Sequence, residues 1–290
     1  MGFISHVTST DSRLPGPAVL LAGVMLAAGL LATGCGGNDD SGNNSARPAA
    51  ATPDPGESAD TSALAEPVTG TETVSGTVTL PGNAPARKQL RMSADPYCVK
   101  ANEDAVFSQS IVTGGQGGLA GVFVYVSAGV APGSRAVPNE PVVLDQRGCM
   151  YEPRVVGVRV GQEVEFRNSD PTLHNVHAMP ESSRSFNLGM PRKGMTLRRR
   201  FSKPEVLVRV KCDVHPWMEA YVGVLEHPYF AVTDEQGRYS ISGLVPGDYT
   251  LAAVHPRLGR LERAAQLQAG DFPAGDAPTV DFAYPARGGS

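Results

Sequence analysis

Three potential metal-binding side chains occur within seven consecutive residues of this chain. The stretch Cys-Asp-Val-His-Pro-Trp-Met carries a thiol at Cys212, an imidazole at His215 and a thioether at Met218. These are soft and borderline ligands of the kind that copper prefers, and two histidines, one cysteine and a weak axial methionine make a trigonal site suited to one-electron transfer. A second histidine, His174, lies 212 − 174 = 38 residues upstream of Cys212. Residue types and spacing therefore indicate a copper site built from two separate segments.

Two strand-like patterns lead into these segments. An alternating run from Val155 to Phe166 precedes His174, and the apolar-rich run from Val206 to Val210 ends just before Cys212. Both runs predict β-strands. One ligand would then lie at the end of one strand, and the other three in the loop after a later strand.

This arrangement resembles the cupredoxins, the small blue copper proteins, and most closely their amicyanin and plastocyanin branch. The resemblance runs from about residue 142 to 226 and rests on the His174-Asn175 segment, the Cys-x-x-His-x-x-Met loop and the strand after it. It implies one type 1 copper ion held by a set of four ligands: His174, Cys212, His215 and Met218.

The same resemblance implies roles for the neighbours of the ligands. Asn175 would bridge the two ligand segments, and Pro216 would stiffen the loop by fixing its own backbone angle. His215 would reach the surface inside an apolar patch with Pro171, Pro216 and Trp217, where a redox protein docks in a small, transient interface. Trp217, the single tryptophan of the chain, can equally well be a core residue.

Each candidate ligand taken alone can also be explained by a structural role without a metal. Cys212 could be a small buried hydrophobe, His215 an ordinary loop histidine and Met218 a core residue. Zinc is disfavoured, because zinc sites use Cys and His without a thioether. His177 is a tempting extra ligand, but three residues after His174 on a strand it should point the other way.

The flanking sequence resembles a second family, the carboxypeptidase regulatory-like domain, a small transthyretin-like β-sandwich. Its features here are a Gly-Thr-Val strand at 74–80, an apolar strand at 118–126, and the motifs Thr-Asp-x-x-Gly-x-Tyr at 233–239 and Pro-Gly-x-Tyr at 246–249. We therefore expect an all-β chain in which a cupredoxin Greek-key β-sandwich at 136–226 is inserted between the two parts of this sandwich, 73–135 and 227–285. A tandem arrangement is the alternative, since insertion needs chain ends that lie close together.

The N-terminal residues predict export. Residues 1–34 resemble a bacterial lipoprotein signal peptide, with an apolar run too short to span a membrane as a helix and Cys35 as the lipidation site. A plain secretory signal or a membrane anchor are the alternatives. The linker that follows, at 35–72, is too poor in large apolar residues to fold. These features predict a periplasmic or cell-surface lipoprotein held to the membrane by its N-terminal lipid.

Two cysteines remain, Cys98 and Cys149. In an oxidising compartment two spare thiols are expected to pair as a disulfide, and a second metal site is the alternative. The polar segment from residue 83 to 104, which contains Cys98, has no pattern that assigns it to an element.

The composition and the motifs of the chain limit the classes of function that it can have. With a net charge of −4 and 19% charged residues, nothing in the chain is basic enough to predict nucleic-acid binding. We expect a monomeric, non-enzymatic electron carrier with one copper ion. The alternatives are an extracytoplasmic binding module for carbohydrate or envelope components, which would need exposed aromatic side chains, and a copper-storage protein, which would need clusters of Met or His. An oxidase or reductase would need further histidine-rich copper sites.

Overall fold

Strands dominate the part of the chain that the structure describes. The computed structural model describes residues 70–82, 84–130, 136–268 and 278–286, all within one compact unit, Ser62–Ser290. The expected signal peptide, Cys35 and nearly all of the linker lie outside these residues. The described elements, in chain order, are β1 (Glu72–Thr79), α1 (Pro96–Ala101), β2 (Phe123–Ala128), β3 (Val142–Arg147), β4 (Met150–Glu152), β5 (Val155–Arg159), β6 (Glu163–Asn168), β7 (His174–Met179), β8 (Phe186–Met190), β9 (Thr196–Arg200), β10 (Glu205–Lys211), β11 (Glu219–Leu225), β12 (Phe230–Val232), β13 (Arg238–Leu244), β14 (Gly247–His255), β15 (Gly259–Leu267) and β16 (Phe282–Ala283).

The middle of the chain, from β3 to β11, forms two sheets. One has the strand order β4-β3-β6-β9 and the other β5-β11-β10-β7-β8. Their inward-facing apolar side chains meet in one buried cluster, in which Phe166 of β6, Val176 of β7 and Val210 of β10 are all fully buried. In the second sheet β7 lies next to β10, with His177 opposite Lys211. The start of β7 and the end of β10 therefore lie side by side.

The outer parts of the chain pair with each other. Strand β1 pairs antiparallel with β13, so that Val74 lies opposite Ile241, and it pairs in parallel with β16. Strand β2 pairs with β12 and β14, which places Val124 opposite Ala253. These sheets, with strand orders β13-β1-β16 and β12-β2-β14-β15, enclose a second apolar cluster.

Glycines allow the two groups of sheets to approach closely. A Cβ atom on Gly157 of β5 would lie 2.2 Å from the ring of Phe230, and one on Gly223 of β11 would lie 2.3 Å from the ring of Phe123. Real Cβ atoms do not come this near to another heavy atom. The Phe123 ring can therefore approach β11 this closely only because no side chain is present at Gly223.

The segment between β1 and β2 is tied to the middle sheets. Helix α1 begins at Pro96. Asp95 caps it, because the Oδ1 atom of Asp95 accepts a hydrogen bond from the backbone N–H of Tyr97 at 2.8 Å. This is the usual chemistry of a helix start. A disulfide joins Cys98 in this helix to Cys149 in the turn between β3 and β4.

Within the described ranges, no helix has the length and apolar character needed to cross a bilayer.

Candidate metal centre

The side chains of His174, Cys212 and His215 converge on one buried point. His174 is the first residue of β7, and Cys212 directly follows β10. The Nδ1 atoms of the two histidines lie 2.9 Å apart, and Cys212 Sγ lies 3.9 Å from His215 Nδ1. The three potential ligand atoms all lie within 4.8 Å of one another, so a single ion could contact all three.

The loop from Cys212 to Met218 is closed by its own backbone. The N–H of Cys212 donates to the carbonyl of Met218 at 3.2 Å, and the N–H of Met218 donates to the carbonyl of His215 at 2.9 Å. The Met218 side chain is fully buried in the same apolar cluster as Cys212. Pro216 lies exposed at the outside of this loop.

Asn175 links the two segments that carry the potential ligands. Its Oδ1 atom accepts hydrogen bonds from the backbone N–H groups of Asp213 at 2.6 Å and Val214 at 3.4 Å, and it lies 3.3 Å from Cys212 Sγ. Its backbone carbonyl accepts a hydrogen bond from the hydroxyl of Tyr151 at 2.9 Å. The strand that carries His174 and the loop that carries Cys212 are therefore fastened together directly beside the site.

Asp170 holds the outer nitrogen of His174. Its Oδ2 atom lies 3.0 Å from His174 Nε2, and both residues are buried. The same carboxylate accepts hydrogen bonds from the backbone N–H groups of Gly148 and Cys149 and from the hydroxyl of Tyr97. Burial raises the pKa of Asp170, but hydrogen bonds from His174 and from these donors outweigh it and lower the pKa, so the group is ionised at neutral pH.

Asp95 holds the outer nitrogen of His215 in the same way. Its Oδ2 atom lies 3.1 Å from His215 Nε2 and accepts a hydrogen bond from the hydroxyl of Thr172 at 2.6 Å. The disulfide lies close by, with Cys98 Sγ 3.6 Å from His215 Nε2. Hydrogen bonds from Thr172, Tyr97 and His215 outweigh the effect of burial and lower the pKa of Asp95.

The two carboxylates determine which nitrogen of each imidazole carries a proton. An ionised carboxylate can only accept a hydrogen bond, so in the neutral imidazoles of His174 and His215 the proton lies on Nε2. Both Nδ1 atoms then present lone pairs to each other across 2.9 Å. Two lone pairs at this distance repel unless a proton or a metal ion lies between them. The donor set therefore fits a cation at this point, with a thiol as the third group.

The pKa shifts of Cys212 and His215 favour a bound metal, whereas that of His174 favours a proton. Burial raises the pKa of the Cys212 thiol, but hydrogen bonds from His174 and from nearby backbone N–H groups outweigh it, and the net pKa is lowered. Burial lowers the pKa of His215, and Asp95 opposes this only in part. Burial also lowers the pKa of His174, but Asp170 reverses the effect and the net pKa is raised. A lowered thiol pKa favours the thiolate, the form that binds metals.

His215 is buried, so the expectation that it reaches the surface is wrong. The His215 side chain is only 1% exposed, because Asp95 and the Cys98–Cys149 disulfide cover its outer edge. Pro171 and Pro216 are exposed, and Trp217 is half-buried. The exposed large apolar side chains nearest to the ligands in sequence are instead Leu173 and Val214, at 46% and 41%.

His177, Cys98 and Cys149 do not contribute ligand atoms to the site. His177 faces away from the site, and its Nδ1 atom lies 2.9 Å from Asp213 Oδ2 at the surface. Cys98 and Cys149 also lie close to His215, and Cys149 lies close to Asp170 and His174. The two sulfur atoms are joined in the disulfide and so offer no thiolate.

Sequence reasoning missed Asp95, Asp170 and Tyr97. Asp170 lies only four residues before His174, so a local turn between them could bring the two side chains together. The sequence Asp95-Pro96 signals the start of a helix, but nothing in it signals a contact with His215.

Comparisons with known proteins were made at the levels of sequence and structure. No protein-family model matches this chain, and no curated protein matches it. Solved structures are similar over part of it. A copper-containing nitrite reductase from Thermus scotoductus SA-01 matches 35% of this chain and 26% of its own length, at 26% identity and a TM-score of 0.28. A purple cupredoxin from Nitrosopumilus maritimus matches 29% of this chain and 98% of its own length, at 20% identity and a TM-score of 0.26. An oxidised amicyanin mutant matches 35% and 97%, at 21% identity and a TM-score of 0.27.

Proposed function

We propose that this protein is an exported, membrane-tethered carrier of single electrons with one type 1 copper site, whose ligands are His174, Cys212, His215 and Met218. The observation that carries the proposal is the pair of Nδ1 atoms 2.9 Å apart, each in an imidazole whose Nε2 lies beside a carboxylate, with the Cys212 sulfur alongside. A copper ion bound by such a set can cycle between two oxidation states and store one electron.

The protein's own contribution is a rigid and dry set of donors. The sheets hold His174 and Cys212, and Asn175 fastens their segments together. Asp170 and Asp95 orient the two rings and make their Nδ1 atoms stronger donors, as carboxylates do in other histidine metal sites. His174, Cys212, His215 and Met218 are all buried, so water has little access to the donors. A site held in this way changes little in geometry when its charge changes by one.

Export and chain organisation form part of the same proposal. The Cys98–Cys149 disulfide supports an oxidising compartment, in agreement with the lipoprotein-like residues 1–35. The pairing of β1 with β13 and of β2 with β14 supports a regulatory-like sandwich made from both ends of the chain, with the copper-binding sandwich inserted between them.

Visible absorption after copper loading tests the proposal. The purified whole chain, loaded with copper(II), should show a strong visible band from charge transfer between thiolate and copper. The band should vanish in Cys212→Ser and in His174→Ala. It should persist in His177→Gln, which changes a surface histidine only three residues from His174. A colourless wild-type protein would refute the proposal.

The alternative of a carbohydrate-binding module gains no support from the aromatic side chains. Tyr229, Tyr239 and Tyr249 are buried, and Phe230 is half-buried against Phe123. None of these rings is presented to a ligand.

A further inference from the structure

The route by which an electron could enter or leave the site is not the outer edge of His215. Asp95 and Cys98 occupy that edge, and the His215 side chain is 1% exposed. A redox partner cannot touch this imidazole while the cover is in place. Since electron transfer slows steeply with distance, another group must bring the site into contact with the surface.

Trp217 is placed to do this. Among the described residues, the rings in contact with His215 are those of His174 and Trp217, and the Trp217 centroid lies 5.1 Å from that of His215. The indole N–H donates to the carbonyl of Cys149 at 2.9 Å, which fixes the ring. The half-buried ring also lines a pocket that opens to solvent beside Pro216. Trp217 therefore touches the candidate ligand on one side and the surface on the other.

The pocket beside Trp217 is positively charged. Arg154, Arg209 and Arg257 line it and converge on one carboxylate, that of Glu219, at 3.3, 2.6 and 3.7 Å. Among the described residues that line the pocket, three guanidinium groups therefore face one carboxylate, in a chain whose net charge is −4. The side chains of Arg209 and Arg257 are half exposed and can reach an incoming group. Guanidinium groups of this kind pair well with carboxylates.

We infer that electrons pass through Trp217 and that the arginine pocket beside it docks an acidic redox protein. This inference rests on the proposed electron-carrier function and names the exit residue and the kind of partner. Complementary charge of this kind raises the rate of encounter and fixes the orientation of the docked partner. The exposed Leu173 and Val214 mark the rival exit, an apolar one.

A binding experiment tests the pocket without any metal. Trp217 is the only tryptophan in the chain, so its fluorescence reports on the pocket in the copper-free protein. A hexaglutamate peptide should change this emission at low ionic strength, and a hexalysine peptide should not. The double substitution Arg209→Gln with Arg257→Gln should weaken hexaglutamate binding about tenfold, since each exposed charge pair contributes modestly.

Two control variants sharpen the binding test. Arg209→Lys with Arg257→Lys keeps the charge and should keep most of the affinity, which separates a charge effect from a packing effect. Arg184→Gln with Arg192→Gln removes the same charge from exposed positions that do not line the pocket, and should leave binding unchanged. Equal loss in this pair and in the pocket pair would overturn the inference.

A kinetic experiment tests the exit. Hexacyanoferrate(III) takes one electron from the reduced, copper-loaded whole chain and becomes hexacyanoferrate(II), with no bond formed and no proton moved. Trp217→Leu should slow this step about tenfold while the visible band of the oxidised protein stays unchanged. Leu173→Gln with Val214→Gln should leave the rate unchanged.

The possible failures are distinguishable. Trp217→Leu could keep the visible band and the wild-type rate, or only the Leu173 and Val214 pair could lower the rate. Either result would refute Trp217 as the exit for electrons but would leave the electron-carrier proposal intact. A wild-type protein with no visible band would remove the electron-carrier proposal itself, together with the exit that rests on it.

Discussion

The carboxylate of Asp95 lies 3.1 Å from the Nε2 atom of His215, although the two residues are 120 positions apart in the chain. Asp95 belongs to the segment between β1 and β2, whereas His215 belongs to the loop between β10 and β11. One contact thus joins the outer part of the chain to the candidate metal centre. It orients the imidazole and also closes the path from its outer edge to solvent.

Substitution of Asp95 tests this contact. Asp95→Asn keeps the size of the side chain but removes its charge, so His215 becomes a weaker donor. We expect copper(II) affinity to fall about 10- to 100-fold, the usual effect of losing a carboxylate behind a metal-bound histidine, and the reduction potential to rise. Competition with a chelator and a redox titration measure the two quantities. Asp104→Asn, an exposed acid in the same segment, is the matched control, and equal effects in both variants would refute the role of Asp95.

The disulfide should stabilise the cover over His215. Cys98 and Cys149 are 51 residues apart, and the entropy of closing a loop of this size in the unfolded chain corresponds to about 4 kcal/mol. The double variant Cys98→Ser with Cys149→Ser should therefore unfold at lower urea concentration. It should also keep its visible band but lose copper to a chelator faster, because the segment that covers His215 is no longer fastened. Unchanged copper release would show that the other contacts of Asp95 and Tyr97 hold the cover without the disulfide.

The meeting of His174, Cys212 and His215 at one point could be predicted from sequence because most of the information is local, whereas the role of Met218 as a ligand stays a prediction. Cys212, His215 and Met218 lie in one short loop, and His174 is marked by the strand-like pattern before it. The all-β class follows from alternating runs such as Val155 to Phe166, which form β5 and β6 in the structure.

The surroundings of His215 could not be predicted in the same way. Asp95 reaches the imidazole only through the folded arrangement of distant segments, and its local sequence encodes no more than a helix start. Family resemblance placed His215 at the surface, and the segment from residue 83 to 104, which had no readable pattern, is the one that covers it. Asp170 lies closer in sequence, yet its contact with His174 depends on the turn in which it also binds Gly148 and Cys149.

Acid should destabilise the fold in part through Glu165. Hydrogen bonds from Arg167 and Arg198, at 2.7 and 2.9 Å, lower the pKa of this carboxyl. The pKa of Glu165 in the folded state is below its unfolded value of about 4.3. Glu165 therefore contributes fully to stability above the unfolded pKa, and this contribution is lost as the pH falls through the folded-state pKa.

Melting temperatures measured from pH 7 to pH 3 check this assignment. Glu165→Gln should lower the Tm at pH 7 and flatten its fall below pH 4.3, since the titrating group is gone. Glu103→Gln, at an exposed position, should follow the wild-type curve. A Glu165→Gln curve parallel to that of the wild type would contradict the assignment.

Close packing between the two groups of sheets depends on the absence of a side chain at Gly223. A Cβ atom there would lie 2.3 Å from the ring of Phe123, which is fully buried. Gly223→Ala should therefore lower the free energy of unfolding by about 1–3 kcal/mol, the usual cost of overpacking a core. Gly189→Ala provides the matched control, because Gly189 also lies in a strand of the same sheet but has nothing within 4 Å of its added Cβ atom. Urea unfolding followed by Trp217 fluorescence measures both variants, and equal stability in the two would mean that β11 and Phe123 do not pack as closely as the structure has them.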